Sequence, residues 1–594
     1  MPGAPFGFDS ARVAKPAFIR RIAIIGAGQS GLQLAIGLLR AGHAVSLVTN
    51  RTAHELHSGR VLSSQCMFDT ALQAERDVDL AFWAGECPDV HGMSFTIADG
   101  RGGKRVHWRA RFDGSAQSVD QRLKIPRWMQ ELERHGGELI LRDAGVADLE
   151  QYVRSHDLVI VASGKGEIGS LFELDRARSP FTKPQRALSL AYVRGTRPQE
   201  PYAAVSFALI PGVGEYFAFP ALTTSGPCEI MVFEGVPGGP MDCWADSDTP
   251  EQHLEKCKRL LLQFAPWEAE RSRDAFLTDA NAVLTGSLVP HVRRPVATLP
   301  SGAHVLGMGD ALVLNDPVTG QGANNAAKCA EIYLESILSR GDRGFHAQWM
   351  RQTFERYWRG YAQWVVQWTN SFLAPPAAHV VKLLSSATHD PAVASTIANG
   401  FDDPRTFHPW WFDPDEADRF LGVNATQRAQ DRFDRRDLRK ALGQFATGVT
   451  VVTTRMPDSR RVGMTANSFS SLSLDPPLVL WSVSRGAPSF ADFMSAGHFA
   501  INILGAGQHH LSRQFSTPHA DKFDGIPYRD GIGGVPVLEG TIASFECRGV
   551  RQYDGGDHVI MVGEVERYCR VDGEPLVFHS GCYRIATRHP QLPD

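Results

Sequence analysis

RIAIIGAGQSGLQLAIGLLRAGHAVSLV, residues 21–48, decides the fold of the first half of the chain. Residues 21–25 form a short apolar run, 28–39 carry apolar residues at helical spacing, and 44–48 are a second apolar run. The order strand, Gly-rich turn, helix, strand is that of a dinucleotide-binding unit. In this motif Gly26 allows the tight turn, Gly28 lets backbone approach a pyrophosphate, and Gly31 lets helix pack on strand. The helix N-terminus then faces phosphate. An acidic residue usually ends the second strand and holds a ribose. Here that place reads Thr49-Asn50-Arg51. Asn50 can bond a ribose hydroxyl and Arg51 can meet a phosphate, so this motif alone leaves the nucleotide open.

Working outward, 594 residues exceed what one hydrophobic core usually serves, which predicts two or more domains. Apolar residues make up 43% and charged residues 21%, as in ordinary globular proteins, and the net charge of −4 points to neither nucleic acid nor an acidic membrane as partner. The first twenty residues hold no apolar signal core and no apolar run reaches eighteen residues. The nine cysteines form no CxxC pair, which leads us to expect a reduced, cytoplasmic protein without a structural metal.

Buried strands are expected at 157–162 and 303–308, antiparallel sheet at 204–209 and 216–219, and a helix at 323–337, with further helices to about residue 400. Lys165 in GKGEIG lacks Walker-loop spacing and reads as a loop after a strand. Trp410-Trp411 reads as packing. The charged, core-poor stretch 422–434 is the expected linker between a domain of 1–421 and one of 435–594. In the latter, β-branched runs at 449–453, 478–483, 499–503 and 559–565 suggest a small β-barrel.

A second signal in the first half is Gly309-Asp310-Ala311 followed by Asn315-Asp316-Pro317-Val318-Thr319-Gly320-Gln321-Gly322-Ala323-Asn324. Asp310 can accept a ribityl hydroxyl. Gly320 and Gly322 permit close backbone approach at a helix start, where amides stabilise negative charge on a flavin ring.

Five segments, GAGQSGLQLAIGLL, HSGRVLSSQ, DLVIVASGKGEIGSLFE, SPFTKPQRALSLAYVRG and GMGDALVLNDPVTGQGAN, together resemble styrene monooxygenase and its indole-oxidising relatives over about residues 20–420. The resemblance implies an α/β, Rossmann-like FAD domain of the aromatic hydroxylase group with an inserted β-sheet substrate domain. It implies FAD at Gly26, Gly28, Gly31, Asn50, Arg51, Gly309, Asp310, Pro317, Gly320, Gln321, Gly322 and Asn324. It puts Arg60 and Gln321 among the catalytic residues, and Val61, Leu62 and Ser63 beside the substrate. The family commonly has Asn where Ser63 stands. Phe217, Phe219 and Pro220 are candidates for a dry pocket wall.

In the second half, FATGVTVVTT, MTANSFSSLSLDPPLVLWSVSRGAPSF and YDGGDHVIMVGEV resemble the small split-barrel flavin reductases that partner two-component monooxygenases. Thr465, Asn467, Ser468, Ser482, Ser484, Arg485 and Lys522 are then candidates to hold flavin, with His558 near nicotinamide. The two resemblances imply that NADH, rather than NADPH, reduces FAD on the second domain. The first domain then uses reduced FAD and O₂, through a C4a-(hydro)peroxide, to oxygenate a small aromatic alkene or indole. They also imply a homodimer through the reductase domain. Other readings are a flavin reductase that mainly releases peroxide, and a flavin-binding redox sensor.

Overall fold

The computed structural model describes residues 18–164, 166–245, 249–428, 435–517 and 521–586. The first seventeen residues and Lys165 lie outside them. The chain divides into two compact units, Met1–Ala429 and Gln430–Asp594.

Among the described residues, the first unit holds, besides a two-stranded ribbon of His291–Val292 and Val313–Leu314, two large sheets. In one, the strands follow the order Val296–Thr298, His304–Gly307, Leu158–Val161, Arg21–Ile25, Ala44–Thr49, Glu138–Leu141. All pair in parallel except the edge strand Val296–Thr298. Ile22, Ala23, Ile24, Ile160 and Val161 are fully buried, as strands covered on both faces require. Helices Gln29–Arg40 and Gly322–Leu338 pack against each other over this sheet, sharing a core of Leu32, Leu38, Ala330, Tyr333 and Ile337.

The other sheet has eight strands. Its main path runs Phe276–Leu277, Ala187–Arg194, Gly226–Gly235, Gly214–Thr223, Val205–Ile210, Asp89–Ala98, Lys104–Gln117, and Val283–Gly286 also pairs with Ala187–Arg194. Strand alternation splits its side chains between two cores. Phe217 and Phe219 face one, shared with Trp368, Phe372 and Ile397 of the later helices; Tyr216 and Ala218 face the other, shared with helix Pro250–Phe264. Trp410 stacks on Phe420 at 4.4 Å and Trp411 on Phe372 at 5.5 Å, so the twin tryptophan is packing.

Residues 422–428, assigned to the linker from their charge, continue the helix Pro414–Arg428. Charge does not oppose helix here, because the stretch lacks Pro and its Gln, Arg and Ala are good helix formers. Residues 429–434, the rest of that stretch, lie outside the described residues.

The second unit is built on a seven-stranded antiparallel sheet with the order Arg461–Ala466, Thr450–Arg455, His498–Ile503, Ala543–Gly555, His558–Arg570, Pro477–Ser484, Ser470–Leu474. Trp481, Phe493, Phe499 and Met561 fill its core. Among the described residues of the chain, no helix is long and apolar enough to cross a membrane, and no cluster of His, Cys, Asp and Glu is arranged to hold a metal ion.

Candidate functional site

At the carboxyl end of strand Arg21–Ile25, Gly26 turns the chain with φ +123°. A Cβ there would lie 3.0 Å from backbone atoms of Ala162 and Ser163. A Cβ on Gly31 would lie 2.0 Å from the Gly26 carbonyl oxygen. Both glycines are therefore demanded by the protein's own packing. Gly28 is different. Its φ of −91° suits any residue and its Cβ would meet nothing within 4 Å. No side chain caps the helix it precedes and no acidic residue stands in the first turn. The amides of that turn are thus left for an anion.

The second motif lands on the first. Gly309, at φ +57°, packs so closely on helix Gln29–Arg40 that its Cβ would meet Ser30 Oγ at 2.5 Å. A Cβ on Gly164 would come within 3.0 Å of the Asp310 carbonyl. Loops after three adjacent parallel strands thus meet outside their carboxyl ends, where open α/β sheets bind ligands. Asp310 is exposed there. Further on, Asp316 accepts a hydrogen bond from the Val318 amide at 3.2 Å and opens the short turn Pro317–Thr319. Gly320 closes the turn at φ +66° and Gly322 begins a helix; Cβ atoms on either would project into open space.

Two residues of this loop face inward. Gln321 is fully buried and its Nε2 donates to the Phe401 carbonyl at 2.8 Å. Asn324 accepts from the Phe68 amide at 2.9 Å and donates to the carbonyls of Cys66 at 2.9 Å and Gly320 at 3.0 Å. Their side chains anchor the loop to its neighbours. The catalytic role expected of Gln321 and the cofactor contact expected of Asn324 thus fall on inward-facing side chains, with Gln321 Oε1 buried and without a hydrogen-bond partner among the described residues.

The segment around Arg60 is held from below. Arg122 is buried between Asp120 at 2.8 Å and Asp279 at 3.0 Å, and its Nη1 donates to the Gly59 carbonyl. Asn281 donates to the Ser58 carbonyl and accepts from the Val61 amide, both at 3.0 Å. Arg60 itself is exposed. Val61 joins Phe217, Phe219, Phe207, Trp368 and Val318 in one apolar cluster, which brings three of the expected substrate residues against the flavin-type loop. Leu62 packs on the other core. The Ser63 carbonyl accepts from Tyr192 Oη at 2.9 Å, and Ser63 Oγ is buried without a partner. Pro220 follows Phe219 on an extended strand, so it falls on the opposite face from Phe217 and Phe219 and does not line their cluster.

In the second unit, Ser468 Oγ accepts from the Ser482 amide at 2.9 Å. Ser484 stands opposite His558 in the ladder, and the Arg485 amide donates to the Asp557 carbonyl at 2.9 Å. Ser468, Ser482, Ser484, Arg485 and His558 are thus brought together, with Asn467 exposed beside them. His558 is half-exposed, its Nδ1 2.8 Å from Asp557 Oδ1. Thr465 donates to the Ser512 carbonyl at 2.6 Å and Lys522 Nζ to the Phe515 carbonyl at 2.6 Å. Burial lowers the Lys522 pKa. With its ammonium bonded inward, Lys522 is not presented to a phosphate in this conformation.

Residues 164–271 match the family described as "Styrene monooxygenase A putative substrate binding domain", and residues 442–587 match "Flavin reductase like domain". The chain is 31% identical over 363 residues to styrene monooxygenase StyA of Pseudomonas fluorescens, covering 60% of this chain and 85% of that protein. The chain belongs to the styrene monooxygenase family. Its second unit is 49% identical over 148 residues to FMN reductase (NADH) SmoA of Agrobacterium fabrum, covering 25% of this chain and 84% of the relative. Among solved structures, the styrene monooxygenase flavin reductase SMOB of Pseudomonas putida S12 is 32% identical, with a TM-score of 0.24, over 25% of this chain and 97% of that one. A styrene monooxygenase family oxygenase and a flavin reductase are thus fused in one chain.

Within this family member, the structure adds residues that sequence reasoning missed. Asn50 lies exposed with its Nδ2 3.4 Å from Asp143 Oδ1, and Arg51 is exposed next to it. Asp143 follows strand Glu138–Leu141 and places a carboxylate beside the end of the second strand, where the motif lacked one. No local signal marks it, since it is 93 residues from Asn50. Arg122, Asp120 and Asp279 likewise meet only in the fold.

Proposed function

We propose that this chain is a self-sufficient monooxygenase: its second unit oxidises NADH to reduce flavin, and its first unit oxygenates a styrene-like alkene or indole with reduced FAD and O₂. The balance is alkene, O₂, NADH and a proton giving epoxide, water and NAD⁺. The observation that carries the reading is the pair of glycines, Gly28 and Gly322, that neither a left-handed φ nor the protein's own packing requires. They border the convergence of both motifs, and a cofactor backbone and ring account for them.

FAD bound there supplies the activation of O₂. First-turn amides after Gly28 hold the pyrophosphate, Asp143 and Asn50 the adenosine ribose, and Asp310 the ribityl chain. Backbone amides at Gly320–Gly322 stabilise negative charge on the ring. Val61, Phe217, Phe219 and Val318 form an apolar wall that receives the alkene and excludes water, which otherwise diverts oxygen to H₂O₂. Arg60, fixed through its neighbours, presents a cation toward the flavin. In the second unit Ser482, Ser484 and Arg485 cradle flavin and His558 meets the nicotinamide of NADH, in preference to NADPH. We place the protein in the cytoplasm, as a dimer through its reductase unit.

The test is purified full-length protein with NADH, FAD, O₂ and either styrene or indole, products identified by mass. Epoxide or oxidised indole supports the proposal; NADH consumed entirely to H₂O₂ refutes it.

A further inference from the structure

Strands Gly214–Thr223 and Gly226–Gly235 pair so that Glu215 and Glu234 stand directly opposite each other. Asp316, at the head of the loop just described, faces Glu234. All three carboxyls are buried, at 4%, 0% and 1% exposed. Among the described residues, one cation faces them, Arg186. Its Nε and Nη2 bond the two oxygens of Glu215 at 2.7 and 2.9 Å, Nη1 goes to the Gln185 carbonyl, and Nη2 also reaches the Phe372 carbonyl. On the other side of Glu234, the neighbouring strand offers apolar Leu188. Among the described residues, no N–H or hydroxyl donates to either Glu234 oxygen.

Three ionised carboxyls against one guanidinium would leave two uncompensated negative charges in the dry interior, which proteins avoid by keeping a proton. Asp316 already accepts from the Val318 amide and so serves as the acceptor of the pair. We infer that Glu234 is a neutral acid at pH 7 that donates a hydrogen bond to Asp316, and that this bond is the positioning device for the loop Asp316–Gly322.

Burial, then the facing carboxylates of Asp316 and Glu215, push the Glu234 pKa well above the usual carboxylate range. The sign follows. The folded state holds a proton that the unfolded chain has lost, so the arrangement weakens as pH climbs through the raised pKa. Deprotonation sets two carboxylates against each other at the base of the loop.

The inference rests on the reading of this loop as the flavin seat, but its first two readouts do not. FAD-free full-length protein at pH 7 is expected to show a carboxylic-acid carbonyl band in the infrared that Glu234→Gln lacks. Amide hydrogen exchange across 312–325 is expected to speed up about tenfold in Glu234→Ala, the scale of one lost bond to a buried charge. It should stay at the wild-type level in Glu234→Gln, whose amide still donates to Asp316. Oxygenated product formed per NADH should fall at alkaline pH in the wild type and hold level in Glu234→Gln. A missing band difference, fast exchange in Glu234→Gln, or wild-type exchange in a folded Glu234→Ala overturns the inference. Product per NADH with the same pH dependence in Glu234→Gln as in the wild type also overturns it. A wild type with the expected band and exchange that forms no oxygenated product leaves the inference standing and sinks the proposed function instead.

Discussion

Replacing Gly28 by Ala separates the glycines the fold needs from those a cofactor needs. At φ −91° and ψ −173°, alanine is as comfortable as glycine, and the new methyl meets nothing within 4 Å. FAD-free stability should therefore hold or rise by about 0.4–1 kcal/mol, through the stiffer unfolded chain. Gly31→Ala is the contrast. Its Cβ would sit 2.0 Å from the Gly26 carbonyl, backbone against backbone, so helix and turn must part. That costs about 3 kcal/mol or more. The same Gly28 methyl, however, stands where the pyrophosphate should approach, and should cost one hydrogen bond to a charged group, about 1.5–3 kcal/mol. Toward the upper end of that range, at about 2.7 kcal/mol, affinity for FAD falls about 100-fold.

The assay is thermal unfolding of the full chain with and without FAD. At FAD one hundred times the wild-type Kd, binding stabilises the first unit by about 2.7 kcal/mol; after a 100-fold loss it stabilises by about 0.4 kcal/mol. Gly31→Ala identifies which transition belongs to the first unit, because it lowers that transition without ligand. NADH oxidation with excess FAD reports the second unit and should not change in either variant. The reasoning fails if Gly28→Ala keeps the full FAD-dependent shift, or if it destabilises the FAD-free protein as Gly31→Ala does.

Three further outcomes are expected. Gly322→Leu should abolish oxygenation while NADH oxidation survives; unchanged epoxide formation would remove this loop from the flavin. A fragment of 435–594 should oxidise NADH with added flavin, whereas 1–425 should bind FAD and leave NADH alone; full-length NADH turnover by the latter would end the division of labour. His558→Ala should slow NADH oxidation and oxygenation together, and an added independent flavin reductase with NADH should restore oxygenation, excess being needed because fusion raises local concentration. Failure of that rescue in a folded, FAD-competent variant would mean that reduced flavin does not pass freely to the first unit.

Much of the scaffold was legible because its signals are local. The run 21–48 contains both strands, the turn and the helix, and the structure places them within a residue or two of the sequence reading. Val61 is expected beside the substrate and Phe217 and Phe219 in a dry pocket wall, and the three share one apolar cluster with Val318. Pro220 was misplaced although the sequence held the answer: in Phe217-Ala218-Phe219-Pro220 the alternation that groups the two phenylalanines excludes the proline. Asp143 and Arg122 were not legible, since each acquires its meaning from a partner far along the chain. Gln321 and Asn324 could not be oriented from sequence either, because an amide in a Gly-rich loop serves equally to bind a ligand or to fasten the loop.

That ambiguity extends to glycine, and it bears on how such motifs should be read. A fingerprint such as Gly26-Ala27-Gly28-Gln29-Ser30-Gly31 merges two causes under one residue type. Gly26 and Gly31 are glycine because protein backbone already occupies the space of a side chain, and a protein binding nothing would need them equally. Gly28 has ordinary dihedrals and empty space around it, so neither strain nor packing selects it. Close approach of backbone to a ligand is a reason that remains. The same division runs through the distant motif, with Gly309 pressed on Ser30 and Gly322 open. Evidence for a ligand therefore lies in the glycines whose missing side chain the fold does not exploit. In this chain others of that kind, such as Gly286 and Gly344, lie elsewhere, so the motif is needed as well: Gly28 and Gly322 are the two that also stand in the Gly-rich motifs at the parallel strand ends.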